Sequence, residues 1–279
     1  MTMQEEENDG RLRFLRRSGD PRRNKLRRGV YLLPSLLTMG NMFCGYACVV
    51  YAMRGEYETA APFIGFAVVL DMLDGRIARL TNTTSEFGVE FDSMADIISF
   101  GIAPAILSFA WGLQALGRLG WAAGFMFVAA AAMRLARFNI QSGSGGDKRY
   151  FVGMPSPAAA AIPASTVFLY PTPLTDYRAA LPALAIVLVP AALMVSTIRF
   201  RSFKTIDSKA RRPYTVLIFM AAVIVAIATH PQFTLVAIAY TYLSSGFIGM
   251  AITRFKHRGA VPGAPVEQPP ADRRDSSAR

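Results

Sequence analysis

The 279-residue chain is 52% hydrophobic, carries a net charge of +11 and has positive mean hydropathy. Apolar stretches of membrane-spanning length, about 17–25 residues, recur along nearly all of it. A soluble domain would have shorter apolar runs broken by charge, so that class is excluded. The basic excess is no nucleic-acid footprint either, because all but three of the thirty Lys and Arg fall on alternate connections between apolar segments.

In chain order, residues 1–28 form a basic tail with nine Lys and Arg, expected to be disordered. It precedes a full-length apolar segment, a pattern unlike a cleavable signal peptide. Eight apolar segments follow, at 31–53, 59–80, 92–114, 119–138, 155–171, 179–198, 213–229 and 232–252. The fifth is short and carries Pro155, Pro157 and Pro163. Residues 254–279 form a polar tail, expected to be disordered, so 29–253 is the expected transmembrane domain. Basic residues cluster in both tails and after the second, fourth and sixth segments, whereas the opposite connections hold only Arg54, Arg118 and Arg178. The positive-inside rule then places both termini and the connection after the second segment in the cytoplasm. The expected fold is an all-α, polytopic bundle of about eight transmembrane helices in a cell membrane of bacterial inner-membrane type. The basic residues set this topology or also hold anionic membrane lipids. Cys44 and Cys48 share one segment and suit packing rather than a disulfide or a zinc site.

The stretch DMLDGRIARLTNTTSEFGVEFDSMAD (71–96) sets four aspartates between apolar segments. Asp71 and Asp74 are spaced i, i+3, which puts both on one helix face, and Asp92 and Asp96 are spaced i, i+4 at the start of the next helix. The polar residues 81–91 suit a short interfacial turn, so the two helices are antiparallel neighbours and can bring the four carboxylates together. Charges at membrane depth face a cavity, a partner or an ion. Arg76 and Arg79 can neutralise part of the cluster. Hard divalent cations, Mg2+ or Mn2+, are the natural remainder, and two of them bridged by carboxylates suit displacement at phosphorus. Gly75 leaves room for a phosphate, and Arg79 supplies a guanidinium fork for its oxygens. The alternative use of such aspartates is proton or ion transport, or simple pairing with arginine.

The pattern Asp71-x2-Asp74-Gly75-x2-Ala78-Arg79-x8-Gly88-x3-Asp92-x3-Asp96 matches in full the signature of the CDP-alcohol phosphatidyltransferase family, which the chain therefore resembles. The resemblance implies a six-helix core, a cytosol-facing site and a homodimer. It further implies that Asp71, Asp74, Asp92 and Asp96 ligate two divalent cations, with Asp96 also the general base. Gly75 and Arg79 would hold the diphosphate of CDP-diacylglycerol, with Ala78 and Gly88 in the same signature and Ser85 another nucleotide contact. Residues 33–46, 78–105, 133–139, 151–161 and 199–204 are most similar to the serine-using, membrane-embedded branch of that family. The implied reaction gives L-serine the phosphatidyl group and releases CMP.

Thr38 and Asn41 in the first segment either contact the cytidine end or hydrogen-bond between helices. Arg134 and Arg137, one turn apart at the end of the fourth segment, with Asn139 beyond them, are the candidates for the serine carboxylate. Their other reading is snorkelling at the interface. Lys204 is a further candidate of the same kind, and the glycine-rich loop 141–150 reads as a linker or lid. His230 falls on the opposite face of the membrane and His257 in the tail, so neither suits catalysis. Rival readings are glycerol 3-phosphate or inositol as acceptor, an intramembrane prenyltransferase and an ion-coupled transporter. A prenyltransferase would separate its acidic motifs along the chain, and a transporter would show an internal repeat.

Overall fold

The computed structural model describes residues 21–81, 85–143, 150–196, 199–201 and 213–258. Among them lie eight helical rods: α1 (Pro21–Met53), α2 (Tyr57–Leu80), α3 (Glu86–Trp111), α4 (Arg118–Gly143), α5 (Ser156–Leu169), α6 (Tyr177–Val195), α7 (Pro213–Thr229) and α8 (Pro231–Arg258). Each overlaps one of the eight predicted apolar segments, but α1 begins at Pro21 and α8 ends at Arg258, so both run into the tails expected to be disordered. Four are long and apolar enough to cross a membrane, namely Leu33–Met53, Glu86–Trp111, Arg118–Gln141 and Tyr177–Val195. α2 is of comparable length, but Asp71, Asp74, Arg76 and Arg79 charge its final turns.

The helices depart from expectation in ways that have local causes. α3 begins at Glu86, six residues before the predicted 92, because Ser85 caps it by accepting the Gly88 N–H at 3.0 Å. Inside α3, residues Ile97–Ile102 form a π turn in which the Ala103 N–H bonds to Ile98 O. Pro104 follows immediately and has no N–H to give the Phe100 carbonyl, so the ladder widens just ahead of it. The one departure from a helical chain among the described residues is an antiparallel ribbon of β1 (Tyr150–Val152) and β2 (Arg199–Arg201). Gly153 turns the chain from β1 toward α5 at φ +86°, and a Cβ there would fall 2.4 Å from Met194 O. The loop predicted at 141–150 is thus helix at its start and strand at its end, and 144–149 lie outside the described residues, as does Lys204.

α1 to α6 pack into one core. α1 lies against α2 and α3, α4 against α3 and α6, and α5 against α2, α3 and α6. The buried side chains are mainly alanines with Ile64, Phe100, Leu107, Phe127 and Met194. Small residues let helices approach closely where the hydrophobic effect gives little drive between them. α1 and α3 approach closely at Gly45, where a Cβ would lie 2.6 Å from Ser99 Oγ and 2.8 Å from Ser99 Cα. α8 packs outside the core on α5, and α7 packs on α8.

Candidate active site

The last turns of α2 and the first turns of α3 meet beside α1, and three of the four aspartates converge there. Asp71, Asp92 and Asp96 each place a carboxylate oxygen within 4.8 Å of the other two. Asp74 is buried next to them, and its Oδ2 accepts a hydrogen bond from Thr38 Oγ1. Asn41 Nδ2 donates to Asp96 Oδ1 at 3.2 Å. Asn41 is itself held by its backbone, whose carbonyl accepts from Ser99 Oγ at 2.8 Å. The close approach at Gly45 makes that bond possible, since it brings α1 onto the π turn one turn after Asp96. Thr38 and Asn41 therefore make the hydrogen bonds between helices that were one of their two expected roles, and they fix two of the aspartates.

Two polar atoms in this cluster are buried without a partner, Asp92 Oδ1 and Asn41 Oδ1. Buried polar atoms are rarely left so. Three clustered carboxylates with an unpartnered oxygen among them fit a hard divalent cation, whose ligands are carboxylate and amide oxygens. Asp71, Asp92 and Asp96 are the residues that can hold it.

The signature residues between the aspartates lie on the outer side of the site. Arg79 Nε donates to Gly75 O at 2.6 Å, so the guanidinium folds back over its own helix. A Cβ at Gly75 would come within 3.8 Å of Arg79 Nη2, so glycine leaves the surface beside this fork open. Ala78 is half-buried and follows Asp71 and Asp74 at i+7 and i+4, a small residue on the aspartate face. Gly88 lies against the cap, where a Cβ would be 3.1 Å from Ser85 Oγ. Ser85 and Gly88 thus build the start of α3, which in turn presents Asp92.

The three described residues predicted to receive an acceptor separate in the structure. Arg134 is half-buried, donates from Nη1 to Ser156 Oγ at 2.7 Å, and lies within electrostatic reach of Asp71 and Asp96. Arg137 Nη1 instead donates to Val195 O at 3.1 Å and Ser196 O at 3.4 Å, so it caps the C-terminus of α6. Asn139 Nδ2 donates to Ser93 Oγ at 3.0 Å and clasps α4 to α3 next to Asp92. Only Arg134 faces the aspartate cluster.

The sequence profile of the CDP-alcohol phosphatidyltransferases matches residues 31–191, from the apolar part of α1 into α6. The chain belongs to the CDP-alcohol phosphatidyltransferase family. As a member it is an enzyme, and its long apolar helices make it a membrane protein. It is 39% identical over 197 residues to a CDP-diacylglycerol–serine O-phosphatidyltransferase of Helicobacter pylori (strain ATCC 700392 / 26695), covering 70% of this chain and 83% of the relative. An archaetidylserine synthase of Methanothermobacter thermautotrophicus is 34% identical over 60% of this chain and 69% of its own length. A CDP-diacylglycerol–serine O-phosphatidyltransferase of Saccharomyces cerevisiae is 37% identical over 45% of this chain and 50% of its own.

Sequence reasoning missed Ser156, the hydroxyl that holds Arg134, and Ser99, which holds Asn41. Ser156 follows Pro155 at a helix start and was legible as part of the fifth segment and of the similar stretch 151–161, but not as a partner of Arg134. The Gly45–Ser99 contact had one visible signal, the run of small residues Cys44, Gly45, Ala47 and Cys48 on one helix.

Proposed function

We propose that the chain transfers the phosphatidyl group of CDP-diacylglycerol to L-serine and releases CMP. The observation that carries this reading is the convergence of Asp71, Asp92 and Asp96 within 4.8 Å, with Arg134 the nearby cation among the described residues of the predicted acceptor set. The serine hydroxyl oxygen attacks the lipid-linked phosphorus and forms a new P–O bond, the bond to the CMP oxygen breaks, and the hydroxyl proton passes to Asp96. Asn41 occupies Asp96 Oδ1, which leaves Oδ2 to take that proton. Two divalent cations, Mg2+ or Mn2+, held by the four aspartates would neutralise charge on the phosphoryl oxygens. Arg79, beside the open surface at Gly75, binds the diphosphate, with Ala78, Ser85 and Gly88 keeping that surface low. Arg134 binds the serine carboxylate.

The same reading has eight transmembrane spans, both termini and the aspartate end in the cytoplasm, and a homodimer in a bacterial-type inner membrane. The names of the relatives from Helicobacter and Saccharomyces support serine as the acceptor.

The test is CMP release from CDP-diacylglycerol by the purified chain in detergent, with Mn2+ or Mg2+, comparing serine, glycerol 3-phosphate and inositol. Release that needs serine and metal and collapses in Asp96→Asn is the expected result. Release with another acceptor overturns the serine assignment and leaves the family chemistry standing.

A further inference from the structure

The residues matched by the family profile end at 191, yet a later helix comes back to the site. α8 packs along α5 and touches β2, which joins the ribbon at the aspartate end. Its buried face includes Ala239 and Gly246, and Tyr242, half-buried, lies between them at the i, i+3, i+7 spacing of one helix side. Phe233, Ile238 and Phe247 are exposed on its other sides. Its register along α5 is pinned by Tyr240, whose hydroxyl lies 2.9 Å from Thr166 Oγ1. In that register Tyr242 packs against the core and comes within electrostatic reach of Arg134. Arg134 is therefore approached from four helices, by Asp71 of α2, Asp96 of α3, Ser156 of α5 and Tyr242 of α8.

We propose that α8 completes the acceptor side of the site, with Tyr242 a positioning residue that acts through Arg134 and sets how tightly a carboxylate-bearing acceptor is held. This rests on the assignment of Arg134 to the acceptor. A guanidinium offers five N–H donors in one rigid plane, so the plane's orientation decides which donors face a carboxylate. Ser156 holds one edge of it at Nη1. A phenol on the α8 side restricts rotation about that contact, and a buried tyrosine hydroxyl is placed where it finds polar company. The family core supplies the guanidinium, and the added helix supplies its orientation.

The experiment follows CMP release by the full-length chain in detergent with Mn2+, titrating serine and CDP-diacylglycerol separately, for the wild type, Tyr242→Phe and Tyr240→Phe. Tyr242→Phe keeps the ring and removes the hydroxyl. It is expected to raise KM for serine about 3–10-fold, the worth of one polar contact, with kcat and KM for CDP-diacylglycerol within about twofold of wild type. Tyr240→Phe removes the contact to Thr166 and is expected to lower the melting temperature without moving KM for serine. An unchanged KM for serine in Tyr242→Phe, or equal changes in both substrates or both variants, overturns the proposal, since α8 would then only pack. A wild type that releases CMP with a different acceptor and not with serine overturns the serine reading and this one with it. A wild type that uses serine, with KM unmoved in Tyr242→Phe, overturns this one alone.

Discussion

At the end of the bundle where α2 begins and α3 finishes, polar atoms close on one another. Tyr57 Oη donates to Ala110 O at 2.7 Å, Trp111 Nε1 to Tyr170 O at 2.8 Å, and the Leu174 N–H to Trp111 O at 2.8 Å. At the other end the same helices bring carboxylate against carboxylate. Asp71, Asp92 and Asp96 crowd together, and Asp92 Oδ1 and Asn41 Oδ1 are buried without partners. The first end is complete with protein atoms alone, and its bonds tie α2, α3 and the connection after α5 into a frame. The second leaves oxygens unpaired among the described residues, which is the physical mark of a candidate site.

The sharpest way to break that contrast is to remove one charge from the crowded end. Asp92→Asn is expected to lower turnover by at least about 10^2–10^3-fold, the scale for losing a preorganised electrostatic group. In metal-free buffer the same variant should melt no lower than wild type, because like-charge crowding is relieved. Added Mn2+ should raise the melting temperature of the wild type and leave Asp92→Asn unmoved, as ligand linkage requires. A wild type that melts at the same temperature with and without Mn2+ would mean that the cluster does not bind the cation.

The two arginines of α4 sharpen the comparison further, because they lie one turn apart and do different work. Arg134→Gln is expected to raise KM for serine about 10–100-fold, the range for a hydrogen bond to a charged group. Arg137→Gln gives up the bonds to Val195 O and Ser196 O. It should act chiefly on the melting temperature, with a smaller change in KM. The opposite pattern in steady-state kinetics would exchange their roles.

Gly45→Ala tests how the frame supports the site. The new methyl would meet Ser99 Cα at 2.8 Å, a backbone contact that no rotamer relieves. The helices must separate at a cost of about 1–3 kcal/mol. Asn41 and the π turn would shift with them, so turnover should fall along with thermal stability in detergent. Ser99→Ala loses only the bond to Asn41 O, about 1 kcal/mol, and should fall between Gly45→Ala and wild type.

The sequence made the aspartates and their antiparallel helices legible, since period, charge and spacing are local properties that folding preserves, while the six-helix core was implied by the family resemblance. Cross-helix pairings were not legible. Nothing in the spacing of Thr38 and Asn41 says that they reach Asp74 and Asp96, and Arg137 is indistinguishable from Arg134 until the end of α6 arrives beside it. The π turn depends on Pro104, which is visible, and on Ser99 meeting Gly45 across 54 residues, which is not. The ribbon escaped for a similar reason, as three-residue strands in two distant connections carry no periodicity of their own. The contribution of α8 was hidden because its tyrosines sit in an apolar helix with no link in sequence to the aspartates.

The smallest predicted effect belongs to the closed end and is the strictest check on the contrast. Tyr57→Phe keeps the aromatic ring in the core and removes only the phenol hydroxyl, leaving Ala110 O without that donor. The expected cost is about 1 kcal/mol, seen as a modestly lower melting temperature in detergent. Because that bond lies at the far end of α3 from Asp92 and Asp96, kcat and both KM values should remain at wild-type levels when assayed well below the transition. Should kcat fall in step with stability, the frame and the site would move as one body, and the division between a finished end and an open one would not describe how this bundle works.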